Sequence, residues 1–191
     1  MTSITLLRQP AMRTSLITDL AARHGCKPPS LVELEAAREL AGRLMKHEVA
    51  PLESYLAVMR IQPAAIMVFK ERGRVTGVIS ALFLKECCLA PILDGSFDAV
   101  SPGAEQLSAE GEAPALLYSW GIAAETKPAA AAILRVGADV TRLLYPEIPA
   151  FTRAVTADGR RTAGGRYGYR PLRHPDDDLF ARLPGQMEQA A

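Results

Sequence analysis

The residue types best suited to chemistry meet at one junction, the stretch "WGIAAETKPAAAAIL" at residues 120–134. An apolar run stops at Ala124, turns through Glu125, Thr126, Lys127 and Pro128, and restarts as alanines. A carboxylate at such a turn has the chemistry of a general base, or of an acid that complements a helix macrodipole. A lysine beside a helix start suits an anion, because the first N–H groups of a helix have no partner within it. Pro128 removes one of those donors but fits a first turn, and Thr126 has the type of an N-cap. The junction therefore has two readings, an anion site or a plain strand-to-helix turn.

Two tyrosines follow near the other end, in "GRRTAGGRYGYRPL" at residues 159–172. A phenol, with a pKa of about 10, has the type of a general acid. Tyr167 is the candidate for that role, and Tyr169 is expected to pack in the core. Arg153, Arg160, Arg161, Arg166, Arg170 and Arg173 crowd the same region, with Asp158 the one acid before Asp176, Asp177 and Asp178. They form either a solvated basic face or a surface for phosphates, an acidic substrate or RNA. Cys87 and Cys88 are neighbours with no third ligand at metal spacing, and on an extended segment they would point to opposite faces, so no metal site is expected. His24, His47 and His174 are scattered and are assigned to solvent or capping.

These groups need elements to hold them. Ser30 followed by Glu33 reads as a capped helix start, with Leu31, Leu34, Ala37, Ala41 and Leu44 on one stripe and an end near His47. Pro51 opens a second helix that shows Leu52, Leu56 and Met59 on one face. "AAIMVF", "KERGR" and "VTGVISALFL" read as a β-hairpin over residues 64–84. Residues 86–114 lose all periodicity and form a long connection, functional or partly helical. "APALLYSWGIAA" is the most apolar strand and is expected at the centre of the sheet, with Tyr118 and Trp120 on one face as core or as the wall of a cleft.

A helix from Pro128 to Leu144 follows, stopped by Pro146 and Pro149. The strand "AFTRAVT", the short helix "ADGRRTAGGRYG" and the extended "YRPL" come next. The order predicts an α+β protein, an α/β/α sandwich whose mixed, mostly antiparallel sheet carries helices on both faces. Residues 1–175 are read as one domain, with N-terminal helices over 1–60 and the sheet over 61–175. Residues 176–191 are read as a tail, in which Leu179, Phe180 and Leu183 dock as one short turn.

Composition narrows the function. A 191-residue chain with a net charge of +1 lacks the basic surface of a general nucleic-acid binder, so any anion site is local. Its three cysteines do not form a secreted disulfide framework. No apolar run reaches bilayer length, and no signal-peptide pattern opens the chain, so a cytoplasmic protein without membrane contact is expected. If the chain associates, a homodimer is the expected form.

The strand "LLYSWGIAA", the junction "ETKPAAAAIL" and the terminal "GRRTAGGRYGYRPL" together resemble the GNAT superfamily of acyl-CoA N-acyltransferases, over residues 30–172. The resemblance implies acetyl-CoA or another acyl-CoA as cosubstrate and a small-molecule or peptide amine as acceptor. It implies that the backbone of Ile122 and Ala123 orients the pantetheine arm, and that Lys127 with the amides of Ala129, Ala130, Ala131 and Ala132 holds the pyrophosphate. It makes Glu125 the base and Tyr167 the acid. The chain departs from the family pattern where Ala130 replaces a loop glycine and where Gly164 stands at the usual tyrosine. These departures give a second reading, a GNAT-shaped ligand sensor or interaction protein without chemistry.

Overall fold

A computed structural model describes residues 10–45, 49–172 and 178–184. The described residues begin with α1 (Thr14–Ala22) and the two-residue strand β1 (Cys26–Lys27). α2 (Leu31–Met45) starts where the sequence places it. The Ser30 amide donates to Glu33 Oε2 at 2.8 Å, and the Glu33 amide donates to Ser30 Oγ at 3.4 Å, a reciprocal cap that satisfies two helix-end donors. Lys70 and Lys27 also reach Glu33, and this set of donors holds its carboxyl down to about 2. The expected end of the helix at His47 lies outside the described residues.

α3 (Leu52–Ile61) leads into the hairpin β2 (Ile66–Glu71) and β3 (Arg74–Leu84). The connection that follows is partly helical. It contains a 3-10 turn at Glu86–Cys88, α4 (Leu89–Asp94) and a second 3-10 turn at Ala104–Gln106. Cys87 and Cys88 sit on the first turn with sulfurs 4.0 Å apart, not on an extended segment; Cys88 is buried, and burial pushes its thiol up to about 12.

β4 (Leu116–Ala124) then runs into α5 (Lys127–Asp139), which passes into a π-helical turn at Val140–Leu144. The long helix expected over 128–144 therefore changes its winding near its end. β5 (Ala150–Arg153), α6 (Ala157–Arg166), β6 (Arg170–Pro171) and β7 (Leu179–Arg182) complete the described chain.

The strands form one seven-stranded sheet in the order β1-β2-β3-β4-β5-β7-β6. Among the described residues only β4 and β5 pair in parallel, so the sheet is mixed and mostly antiparallel, with β4 at its centre. One core, with Leu34, Leu40, Val58, Leu82 and Tyr118, packs under α2 and α3. The other, with Ile17, Leu20, Ile133, Val136 and Phe83, packs under α1 and α5. Helices cover both faces, as the element order predicts.

α5 lies close against β3. A Cβ at Gly77 would stand 3.0 Å from the Ala129 methyl, and one at Gly137 would stand 2.9 Å from Ile79 Cδ1. The alanines and glycines of this region thus fix the distance between helix and sheet.

The expected C-terminal turn is instead a strand. β7 pairs with β5 from Ala150↔Arg182 to Arg153↔Leu179 and carries β6 on its other side. Arg182 is buried, and its Nη2 donates to the carbonyls of Thr141, Tyr145 and Ile148 at 3.2, 3.4 and 3.5 Å. Those carbonyls lie at the π-helical turn and just beyond it, where the regular ladder ends. Leu183 follows the strand, half-exposed at 40%. The expected boundary at residues 175/176 lies outside the described residues.

Candidate functional site

β4 is paired on both sides over only part of its length. β5 accompanies it from Leu117↔Ala150 to Ser119↔Thr152 and then diverges. β3 follows β4 all the way to Gly77↔Ala124. The pairing shifts between Ser80↔Gly121 and Ala81↔Ser119, which leaves Trp120 as the extra residue of a β-bulge. Beyond this bulge the two parallel strands splay.

The splay opens a cleft of about 500 Å³, within the range of small-molecule sites. Its walls include Ile122 and Ala123 from β4, Ala130 and Leu134 from α5, Thr156 before α6, and Tyr167 after it. The Glu125 amide donates to the Thr76 carbonyl at 2.8 Å, so backbone groups of alternate residues from Glu125 backwards face β3. Ile122 and Ala124 accordingly turn their N–H and C=O toward the cleft, and Ala123 turns its own toward β3. Ile122 is 40% exposed, an apolar side chain left on the open edge.

The helix start is closed by its own cap. Ala129 N donates to Thr126 Oγ1 at 3.2 Å, and Ala130 N donates to the Thr126 carbonyl at 2.9 Å. The amides of Ala131 and Ala132 fall inside the i to i−4 ladder of α5. The Thr126 hydroxyl donates to Glu71 Oε2 at 2.6 Å, and Thr76 donates to the same oxygen at 3.0 Å. These two bonds lower the Glu71 carboxyl below its ordinary range. Glu71 had no role in the sequence reading, since its partner lies 55 positions away.

Of the residues expected at the site, Ile122, Ala123, Ala130 and Tyr167 line the cleft. Ala129, Ala131 and Ala132 sit on α5 outside its lining, with Ala129 fully buried against β3. Lys127 is exposed at the helix start. Glu125 is five residues beyond the bulge, about 16 Å along an extended chain. Its carboxylate pairs with Arg74 at 3.1 Å and Arg43 at 3.7 Å. The structure thus brings Glu125 together with cations and not with the cleft wall.

Tyr169 is buried, and burial raises its phenol while a bond to Ser119 partly offsets the rise. Tyr118 packs edge-on to Phe97 with centroids 5.4 Å apart. Trp120 stacks at 4.5 Å on Tyr55 and donates Nε1 to the Ala99 carbonyl at 2.5 Å, so the long connection seats itself on the bulge.

Three arginines of the C-terminal cluster are used locally among the described residues. Arg153 pairs with Asp178 at 2.7 Å, Arg160 donates to the Ala154 carbonyl at 3.2 Å, and Arg161 pairs with Asp158. Arg173, His47 and His174 lie outside the described residues. His24 Nε2 meets Asp139 Oδ2 at 2.7 Å, where β1's turn touches the end of α5. Among the described residues, no three His, Cys, Asp or Glu side chains group to hold a metal, and no helix is long and apolar enough to cross a membrane.

Solved structures superpose on the chain as a whole. Ard1 from Thermoplasma volcanium superposes with a TM-score of 0.52 at 13% identity, over 83% of this chain and 96% of that one. The GphF GNAT-like decarboxylase in complex with isobutyryl-CoA superposes with a TM-score of 0.50 at 16% identity, over 73% of this chain and 71% of that one. The chain has the GNAT fold. No protein-family model matches the sequence, and no curated protein does.

Proposed function

We propose that the cleft between β4 and β5 binds an acyl-CoA thioester and that the protein passes the acyl group to an amine by direct attack. The open edge of β4 carries this reading. An extended pantetheine arm is a chain of amides, and the unpaired N–H and C=O of Ile122 and Ala124 offer it the partners that a neighbouring strand would. Ala123 keeps that edge straight through its pairing with Val78.

The phosphates would meet side chains more than amides. The cradle expected from Ala129 to Ala132 is spent on Thr126 and on the helix ladder. Lys127, with Arg43 and Arg74 gathered around Glu125, supplies positive charge at the same end, and the α5 macrodipole adds to it. In this reading Glu125 orders the two arginines, and the amine loses its proton to water in the open cleft. Tyr167 protonates the departing thiolate. Holding thioester and amine in line supplies most of the acceleration.

Calorimetric titration with acetyl-CoA and longer acyl-CoA thioesters tests the reading. One-to-one binding is expected; absence of heat together with an unshifted melting temperature would refute it. Tyr167→Phe should then lower kcat by about 10²-fold with KM little changed, as removal of a general acid does. Glu125→Gln should raise KM and leave the pH profile of kcat in place; a lost acidic limb would return the base to Glu125.

A second reading is a ligand-sensing protein of the same fold without transfer, and the closed helix start and the ion-paired Glu125 favour it. It predicts acyl-CoA binding with no acyl transfer to any amine. A sensor with its groove shut is disfavoured by the cleft of about 500 Å³. Both readings suit a cytoplasmic protein, and a homodimer is compatible with either.

A further inference from the structure

A second cavity, of about 100 Å³, lies under α2 on the other face of β4. Met45, Trp120 and Gly121 wall both cavities, so the small one adjoins the main cleft at the bulge. By a water's share of liquid volume it has room for roughly three waters, or a group of about four heavy atoms. Most of its wall is apolar, from Leu34, Ala41, Ile66 and Val78.

Its polar side chains are few, those of Arg38, Tyr55, Ser80 and Trp120. Trp120 Nε1 is bonded to the Ala99 carbonyl, and Ser80 Oγ donates to the Gly121 carbonyl at 3.3 Å. Tyr55 is buried and its phenol is kept neutral by desolvation, with the charge of Arg38 acting on it from nearby. Arg38 Nε is buried and has no hydrogen-bond partner, and no ion pair of Arg38 is found among the described residues. Arg38 as a whole is half-buried and borders the cavity, and a buried guanidinium Nε with its donor unspent is costly unless an anion completes it.

We propose that this cavity receives a small carboxylate-bearing group, with Arg38 as its counter-ion. Arg38 presents a planar fork of donors that matches a carboxylate, and the neutral walls strengthen that pairing. The inference rests on the acyl-CoA reading of the main cleft and names the substrate class for it. The carboxylate has two sources of the same chemistry, the distal carboxyl of a dicarboxylic acyl thioester or the carboxyl of an amino-acid acceptor.

The test is calorimetry on the full chain and on Arg38→Met and Arg38→Lys, each checked for a cooperative melt. One arm compares malonyl-CoA and succinyl-CoA with acetyl-CoA and butyryl-CoA. The other compares glycine and β-alanine with ethylamine and propylamine, in the presence of acetyl-CoA. In one arm the carboxylates should bind about tenfold tighter or more, as a charged hydrogen bond would give. Arg38→Met should erase that preference and Arg38→Lys should keep part of it. Preference in the first arm assigns the carboxyl to the acyl group, and in the second to the acceptor. Acetyl-CoA binding with no carboxylate preference in either arm, or a preference that survives Arg38→Met, overturns the inference and leaves the function standing. No binding of any thioester overturns both.

Discussion

The two halves of β4 share one strand and one neighbour, β3, yet differ in what lies along the other edge. From Leu117 to Ser119 the strand is paired on both sides, and Tyr118 is 4% exposed. From Gly121 to Ala124 it is paired on one side only, and Ile122 is 40% exposed. Trp120 marks the change, since its bulge adds twist just where β5 leaves. The first half holds the sheet together, and the second leaves the same backbone groups facing the cleft. An open strand edge is ordinarily a liability for aggregation; here α5, α6 and the residues after β5 wall it off.

Proline scanning would break this comparison most sharply. Tyr118→Pro removes a buried ring and a ladder donor, and is expected to cost at least about 3–5 kcal/mol in denaturant unfolding. Ile122→Pro removes an N–H that faces the cleft and not β3, so the fold should survive while acetyl-CoA affinity falls about tenfold or more in calorimetry. Equal loss of stability in the two variants would show that the halves are not different.

Lys127→Glu probes the phosphate end of the open half. The side chain is exposed, so the melting temperature should hold, while affinity for acetyl-CoA should fall several-fold and the loss should shrink at high salt. A loss confined to acetyl-CoA and absent for pantetheine would place the effect on the phosphates.

The smallest effect concerns the helix that borders the second cavity. Glu33 has its carboxyl held at about 2, against an ordinary 4.5, by Lys70, the Ser30 amide and Lys27. A carboxyl lowered on folding stabilises fully above its unfolded value and loses that contribution as pH falls through 4.5 toward about 2. Glu33→Gln should therefore flatten the decline of stability between those limits, read by chemical denaturation at several pH values.

What was legible in the sequence was local. The Ser30–Glu33 cap, the hairpin around Gly73 and the Thr126 cap are all written within a few residues of themselves, and they formed as read. β7 was not legible because four residues with a buried arginine carry no alternating pattern, and only pairing with β5 and β6 makes them a strand. The bulge at Trp120 is a matter of register against β3, which composition does not encode. Glu71 and Arg38 escaped for the same reason: each acts on residues brought to it by the fold. The reading of Ile122 and Ala123 at the site came from the resemblance; the register against β3 turns the backbone groups of Ile122 and Ala124 toward the cleft and those of Ala123 toward β3. Glu125 was read from its place after an apolar strand, and Arg74 and Arg43 come from elements far from it in sequence.

Hydrogen exchange on β4, with and without acetyl-CoA, measures the central claim most directly. Slower exchange at the amides of Ile122 and Ala124 on adding acetyl-CoA, with Leu117 to Ser119 unchanged, is the predicted result. Saturating binding that leaves Ile122 and Ala124 exchanging as fast as before would contradict it.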